Sequence, residues 1–335
     1  MEERVLMAHG SGGTLSHELI KRCFVTALSN PWLSKMDDSA FISSIDGALA
    51  FTTDSYVVSP LFFPGGDIGK LAVCGTVNDL SVSGAIPLYL SLSLIIEEGF
   101  LISDLERVIL SVKEASQEAG VSIVTGDTKV VPRGKADGLF INTSGIGKVM
   151  QGVNVSGANV RAGDMIILSG TIGDHGMTIM AKREGLRFEG DFESDCAPLN
   201  SLVAEMLAVC PDIRCMRDPT RGGLATTLNE IAWQSSVGIV VQDSFVPVKP
   251  SVRALSEMLG LDPLYIANEG KLIAFVPAHM ADKVLLAMRK HKYGHNAVVI
   301  GEVTAENQGI VVLRTELGTS RILPMLSGDV LPRIC

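Results

Sequence analysis

The chain has 335 residues, 47% of them apolar and 19% charged, and a net charge of −9. That length calls for two domains rather than one core, and the apolar content excludes a disordered chain. The acidic balance, with no basic run, excludes a protein that coats a nucleic-acid backbone, and supplies carboxylates that can hold Mg²⁺ against a nucleotide.

The start, Met1-Glu2-Glu3-Arg4-Val5, lacks the apolar stretch of a leader. The most apolar segment, residues 88–96, is far short of a membrane span, so a cytoplasmic protein without a membrane partner is expected. A glycine-rich segment, His9-Gly10-Ser11-Gly12-Gly13, precedes a predicted helix over 16–28 that Asn30-Pro31 stops. A strand at 48–53 runs into Asp54, and a loop follows at 63–67. Next come a helix over 68–83 ending at Gly84, a strand at 88–96 and an amphipathic helix over 104–119 closed by Gly120. A strand at 121–125 leads into Gly126-Asp127, and another covers 139–149.

Composition changes across 150–164, through Gly152, Gly157 and Gly163. The second half opens with a strand at 164–169 and a glycine-bearing turn over 170–176. Helices at 199–207, 222–233, 251–259 and 279–291 follow, with strands at 271–276 and near Val298 and Ile310. The class is α/β (mixed α+β). The expected division is an N-terminal arm and helix (1–42), a first domain (43–154), a second domain (155–326) and a mobile tail (327–335). Cys23, Cys74, Cys196, Cys210 and Cys215 form no C-x-x-C pair and read as small core residues; a reducing cytoplasm argues against a disulfide framework.

Gly65-Gly66-Asp67-Ile68-Gly69-Lys70-Leu71 has the look of a P-loop and fails as one. Its spacing is one residue short, and Leu71 stands where Mg²⁺ needs a hydroxyl. No G-x-G-x-x-G follows a strand, so a bound nucleotide would use neither common motif. What the chain offers is four aspartates. Asp54 and Asp127 follow predicted strands. Asp79, with Asn78, lies on the helix that carries Lys70. Asp218 opens Asp218-Pro219-Thr220-Arg221-Gly222-Gly223. Singly each is an ordinary cap; together, with Lys70, Lys129 and Arg221, they suit Mg²⁺ and phosphates. The 218–223 stretch also has the form of a phosphate-accepting helix start, and Gly12 and Gly13 belong to a loop able to close amides over phosphates. The chain ends Leu331-Pro332-Arg333-Ile334-Cys335. Pro332 stops regular structure, leaving an open terminal thiol whose carboxylate raises its pKa and whose neighbour Arg333 lowers it.

These residues together resemble the HypE family of hydrogenase maturation proteins, of the superfamily that includes aminoimidazole ribonucleotide and selenophosphate synthetases. The resemblance runs over essentially the whole chain. It rests on the 9–13 segment, Thr53-Asp54-Ser55-Tyr56, Phe62-Phe63-Pro64-Gly65-Gly66, Asn78-Asp79 and Thr125-Gly126-Asp127-Thr128-Lys129-Val130. Further along it rests on Gly173-Asp174-His175-Gly176, Arg217 to Gly223, Asn268-Glu269-Gly270-Lys271 and the terminal Pro-Arg-Ile-Cys. It implies a two-domain PurM-like fold with a dimerising first domain, ATP near the subunit and domain junction, and a homodimer.

It also implies a reaction. The carbamoyltransferase HypF loads Cys335, ATP-dependent dehydration makes an S-cyanide, and the cyano group passes to iron on a HypC–HypD complex. Asp54, Asp79, Asp127 and Asp218 would hold Mg²⁺ and phosphates, with Lys70, Asn78, Thr220 and Arg221 beside them. Lys129 and Glu269 match the family's proton-handling pair, and His175 lies on a loop facing the site. Two alternatives are a selenophosphate synthetase-like enzyme, disfavoured because residues 9–13 lack a cysteine, and a nucleotide-sensing carrier without catalysis.

Overall fold

Two β-sheets, each covered by helices, organise the computed structural model, which describes residues 3–37, 39–186, 193–315, 317–328 and 333–335. A short helix, α1 (Thr14–Leu19), runs on as a widened π-type stretch over Ile20–Val25, so the helix expected at 16–28 is continuous but not uniformly α. The first sheet contains β1 (Leu49–Tyr56), β4 (Ala85–Glu97), β5 (Ser122–Val131) and β6 (Leu139–Val149), in the order β1-β6-β4-β5. A two-stranded ribbon, β2 (Phe62–Phe63) with β3 (Gly66–Asp67), leads into α2 (Ile68–Val82); α3 (Ile102–Ala119) connects β4 to β5.

Helix α2 is buried nearly all round and fills the space between the sheet and the second domain. Asp67 caps it by accepting from Gly69 N and Lys70 N at 2.8 and 3.0 Å. Gly69 permits close packing on α3, because a Cβ there would lie 2.5 Å from Val108 O. The strands run past their expected ends. Pairing of β1 with β6 continues to Tyr56, and parallel pairing of β5 with β4 continues to Val131. Asp54, Asp127 and Lys129 therefore sit within strands and not after them, since ladder bonds satisfy the backbone beyond each apolar run.

The second sheet has seven strands in the order β13-β12-β9-β11-β7-β10-β8. In chain order its region comprises β7 (Asp164–Leu168), α4 (Asp174–Arg183), α5 (Asn200–Val209), β8 (Cys215–Arg217), α6 (Gly223–Ser235) and β9 (Gly238–Gln242). There follow α7 (Pro250–Leu259), β10 (Ile273–Pro277), α8 (Ala278–Lys290), β11 (Val298–Thr304), β12 (Val311–Arg314) and β13 (Ser320–Ile322). Along β7 the side chains alternate, with Ile166 and Leu168 packing on the α6 side and Ile167 among α5 and α8.

Helix α4 stands where the glycines of 170–176 suggested only a turn. Gly173, at φ 80°, is its N-cap. Gly176 is inside it because a Cβ would meet Ile266 Cγ2 at 2.4 Å. All five internal cysteines are buried and unpaired, as expected. Among the described residues no helix is long and apolar enough to cross a membrane.

Candidate active site

The last three residues are seated in the protein and are not a free arm; the rest of the expected tail includes 329–332, which lie outside the described residues. Arg333 O accepts from Ser59 N at 3.3 Å and from Arg183 Nη2 at 2.9 Å, and Cys335 O accepts from Val57 N at 3.2 Å. Ile334 is 4% exposed and joins the core of the first domain. Its carbonyl lies 2.9 Å from His175 Nε2. A carbonyl only accepts, so Nε2 carries the proton, and Nδ1 accepts from Ser194 Oγ at 2.8 Å. Ser194 Oγ in turn accepts from Cys196 N. Burial lowers the His175 pKa, in keeping with a neutral ring. His175 thus grips the tail backbone from α4, and not from the loop that the sequence suggested.

Glu269 is near enough to the seated thiol to raise its pKa. It is 3% exposed, and its Oε1 has no hydrogen-bond partner among the described residues. Burial, then the acidic neighbours Cys196, Asp218, Asp195 and Asp54, push its pKa well above the usual glutamate range. The turn that holds it is fixed on both sides. Glu269 N donates to Asp195 Oδ1 at 3.1 Å, and Lys271 Nζ bridges to Asp195 Oδ2 at 3.2 Å. Gly270 is required there, because a Cβ would lie 1.7 Å from Asp195 O. Burial also raises the Cys335 thiol, to about 12; Glu269 and Asp54 add to the rise, and Arg221 opposes it. The nearby cation is Arg221, not Arg333, whose guanidinium is turned away to Asp137 and to Val57 O.

Three of the four aspartates converge here. Tyr56 OH donates to Asp54 Oδ2 at 3.3 Å, reaching over Gly75, where a Cβ would clash at 2.2 Å. Thr52 Oγ1 donates to Asp79 Oδ2 at 2.8 Å. Burial, then Asp218 and Asp54, raise Asp79 to about 7; burial, with Asp54 adding, raises Asp218 to about 6. Among the described residues no group of three or more His, Cys, Asp or Glu is placed to hold a metal ion by itself.

Other expected site residues lie elsewhere. Asp127 and Lys129 share the outer face of the first sheet with Ser93 and Ile95, whereas Asp54 points to the inner face. Strands β1 and β5 are the two edges of that sheet, three strand spacings or about 14 Å apart. Within one chain, therefore, no hydrogen bond or ion pair among the described residues joins Lys129 to Glu269. Lys129 and Asp127 instead line a cavity of about 510 Å³ with Gly10, Gly12, Phe24 and Trp32. Gly12, at φ 80°, is open to that cavity; Gly13 precedes α1 and has open space around it.

Lys70 sits at the opposite end of α2 from Asp79, about 13 Å away along the axis, and its Nζ donates to Gly65 O. Asn78 is spent structurally. Its Nδ2 donates to Ala197 O and Glu269 O, and its Oδ1 accepts from Leu199 N at 2.8 Å, tying α2 to the second domain. Thr220 and the exposed Arg221 precede α6, whose first turn begins at Gly222, φ 76°, and Gly223, φ 62°. Sequence reasoning missed Ser194 and Asp195, which lie in a segment without motif residues, and Arg183, on the unforeseen α4. Tyr56 stood in a marker segment without a role.

Comparison with known proteins agrees with this arrangement. Residues 36–149 match the family described as AIR synthase related protein, N-terminal domain, and residues 161–314 match its C-terminal domain. The carbamoyl dehydratase HypE of Azotobacter vinelandii is 54% identical, over 99% of this chain and 97% of its own. A solved structure of hydrogenase maturation protein HypE in complex with ATP superposes with a TM-score of 0.95 at 51% identity, covering 98% of this chain and 99% of that one. A HypE–HypF complex structure gives a TM-score of 0.82 at 49% identity, covering 92% and 99%. Likeness of this degree along nearly the full length means that the chain belongs to the HypE family of carbamoyl dehydratases.

Proposed function

We propose that the chain uses ATP to dehydrate an S-carboxamide carried on Cys335 to an S-cyanide, in hydrogenase maturation, and that it works as a homodimer with two shared sites. The observation that carries this reading is the seating of Cys335 near the unpartnered carboxyl of Glu269. A carboxamide oxygen is a poor leaving group. Transfer of the γ-phosphoryl group to that oxygen makes it phosphate. Loss of the two nitrogen protons and departure of phosphate then leave the nitrile, so S-carboxamide and ATP give S-cyanide, ADP, phosphate and one proton. Glu269, whose proton affinity burial raises, handles those protons with Lys129.

ATP is expected in the 510 Å³ cavity, where Phe24 and Trp32 offer an apolar end and Gly12, Asp127 and Lys129 a polar one. Burial, with Asp54 adding, raises the proton affinities of Asp79 and Asp218, and a divalent cation would relieve the repulsion among the ionised carboxylates. These carboxylates do not make a metal site by themselves, but single ones could ligate Mg²⁺ held mainly by phosphate oxygens. Bound there, Mg²⁺ would supply neutralisation of triphosphate charge. Arg221 adds positive charge from the α6 start.

The homodimer resolves the separation of Lys129 from Glu269. The outer sheet face exposes Phe51 at 71% and Ile95 at 45%, apolar surface that a second copy would cover. Pairing edge β1 with edge β5 of that copy would bring the strand that carries Asp127 and Lys129 next to the other chain's β1, the strand of Asp54. Loading by HypF in the reducing cytoplasm requires the tail to leave its seat, and the HypE–HypF relative supports such a partner. Delivery to iron on HypC–HypD would follow.

Mass spectrometry tests the reading. With HypF, carbamoyl phosphate and ATP, Cys335 should gain about 43 Da and then lose about 18 Da. An adduct that never loses water would refute the dehydration step.

A further inference from the structure

The tail is held chiefly through its backbone, as an added strand is held at a sheet edge. Val57 N donates to Cys335 O and Ser59 N to Arg333 O, the two-residue spacing of antiparallel pairing. Arg183 clamps both strands of this contact. Its guanidinium donates to Ser59 O at 2.7 Å and to Arg333 O at 2.9 Å. His175, in the tautomer fixed by Ser194, takes the one carbonyl between them, that of Ile334.

Two side chains are read in addition. Ile334 fills the core of the first domain. Arg333 pairs with Asp137, donates to Val57 O at 3.0 Å and lies 5.9 Å from the Phe140 ring. All of these contacts are made by Arg333, Ile334 and Cys335 themselves. The three terminal residues thus make a set of contacts of their own with the surface formed by Val57–Ser59, Asp137, His175 and Arg183.

We propose that this surface is a peptide-binding slot that accepts a C-terminal Arg-Ile-Cys segment in trans, and that His175 and Arg183 are its positioning residues. A separate peptide carrying an S-carboxamide on its cysteine would then be turned over by a chain whose own tail is kept out. Docking stands on the geometry above; turnover rests on the dehydration proposed for Cys335.

The test uses the full chain with Ile334→Asp, since a carboxylate cannot be buried where Ile334 lies. An acetyl-Arg-Ile-Cys peptide, labelled at its amino end, is titrated by fluorescence anisotropy. A tethered tail competes at an effective concentration on the order of millimolar, so apparent affinity for Ile334→Asp should exceed that for the wild type by at least about tenfold. On the same protein, Arg-Asp-Cys should not bind, and Ala-Ile-Cys should bind about tenfold more weakly or worse. Adding Arg183→Ala should weaken binding to a similar extent. Equal binding of all three peptides, or equal affinity for wild type and Ile334→Asp, would overturn the slot. Turnover is read with the S-carboxamide peptide and Mg-ATP, as loss of about 18 Da. A peptide that binds and keeps its water, while the wild-type chain dehydrates its own Cys335, overturns turnover in trans. Failure of both substrates to lose water counts against the dehydration itself and leaves the docking result standing.

Discussion

Replacing Glu269 with Gln keeps the shape of a nearly fully buried side chain and removes its proton. Burial and four acidic neighbours raise the Glu269 pKa well above the usual value near 4.5. The folded chain therefore holds this proton in a window where the unfolded chain has lost it. The sign follows. Stability conferred in the protonated state is complete below the usual glutamate pKa and drains away as pH rises toward the folded value. Across that window the wild type loses stability that Glu269→Gln does not lose. Denaturant unfolding followed upward from pH 5 should thus show the variant gaining stability on the wild type as pH rises, by at most about 1 kcal/mol per pH unit. Asp79 and Asp218 titrate in both proteins and cancel to first order. In single-turnover assays the variant should bind ATP normally and dehydrate the carbamoyl adduct about 100- to 10,000-fold more slowly, the usual range for a lost acid–base group. A stability difference that does not change with pH would show that the carboxyl is not held neutral. Loss of ATP binding would move Glu269 from proton handling to nucleotide binding.

The other outcomes are as follows. Asn78→Ala removes three buried hydrogen bonds across the domain junction and should cost about 2–4 kcal/mol in unfolding while leaving ATP affinity near normal; unchanged stability with lost ATP binding would restore Asn78 as a ligand contact. Asp79 and Asp218, raised to about 7 and about 6, should release protons when Mg-ATP binds, so affinity should fall from pH 8 to pH 6. Calorimetry in buffers of different ionisation enthalpy checks this, and an absence of proton release near pH 6.5 contradicts it. Lys129→Ala and Glu269→Ala should each be inactive alone. Mixed and allowed to exchange subunits, they should recover about a quarter of wild-type activity, because half the dimers are mixed and each holds one intact shared site. No recovery despite exchange would place both residues in one chain's site.

The sequence carried the elements well where a strong pattern met a clear stop. Helix α3 ends at Gly120, φ 69°, as its C-cap glycine indicates, and β6 falls on its expected bounds. It failed where glycine signals served packing and not turns. Gly176 is a helix residue because Ile266 leaves no room for a side chain. The site was legible as a roster and not as a map. Asp54, Asp79, Asp218, Glu269 and Cys335 do meet, through two sheets far apart in sequence. Lys70 and Asn78 share a helix with Asp79 yet face other tasks. Residue type and spacing say which groups can bind a phosphate. They do not say on which face of a strand the group falls once pairing extends past the apolar run, and that face separates Asp127 from Asp54.

Seating the thiol has a consequence for the proposed chemistry beyond proximity. Inside the site, burial, Glu269 and Asp54 hold the Cys335 thiol protonated, at a pKa of about 12. A thiol so held is a poor nucleophile, so loading belongs to the undocked tail, where the sulfur is free of that burial and of those carboxylates. Once the carboxamide is attached, the same environment turns to advantage. The competing reaction is scission of the carbon–sulfur bond, which would expel a thiolate into a partly buried site that disfavours charge on sulfur. What makes the thiolate costly to form makes it costly to expel, at about 1.4 kcal/mol for each unit by which the pKa is raised. Dehydration asks for no charge on sulfur. The pocket therefore discriminates between the two fates of the adduct: it disfavours loss of the carbamoyl group while leaving removal of its oxygen to the phosphate-binding side of the site.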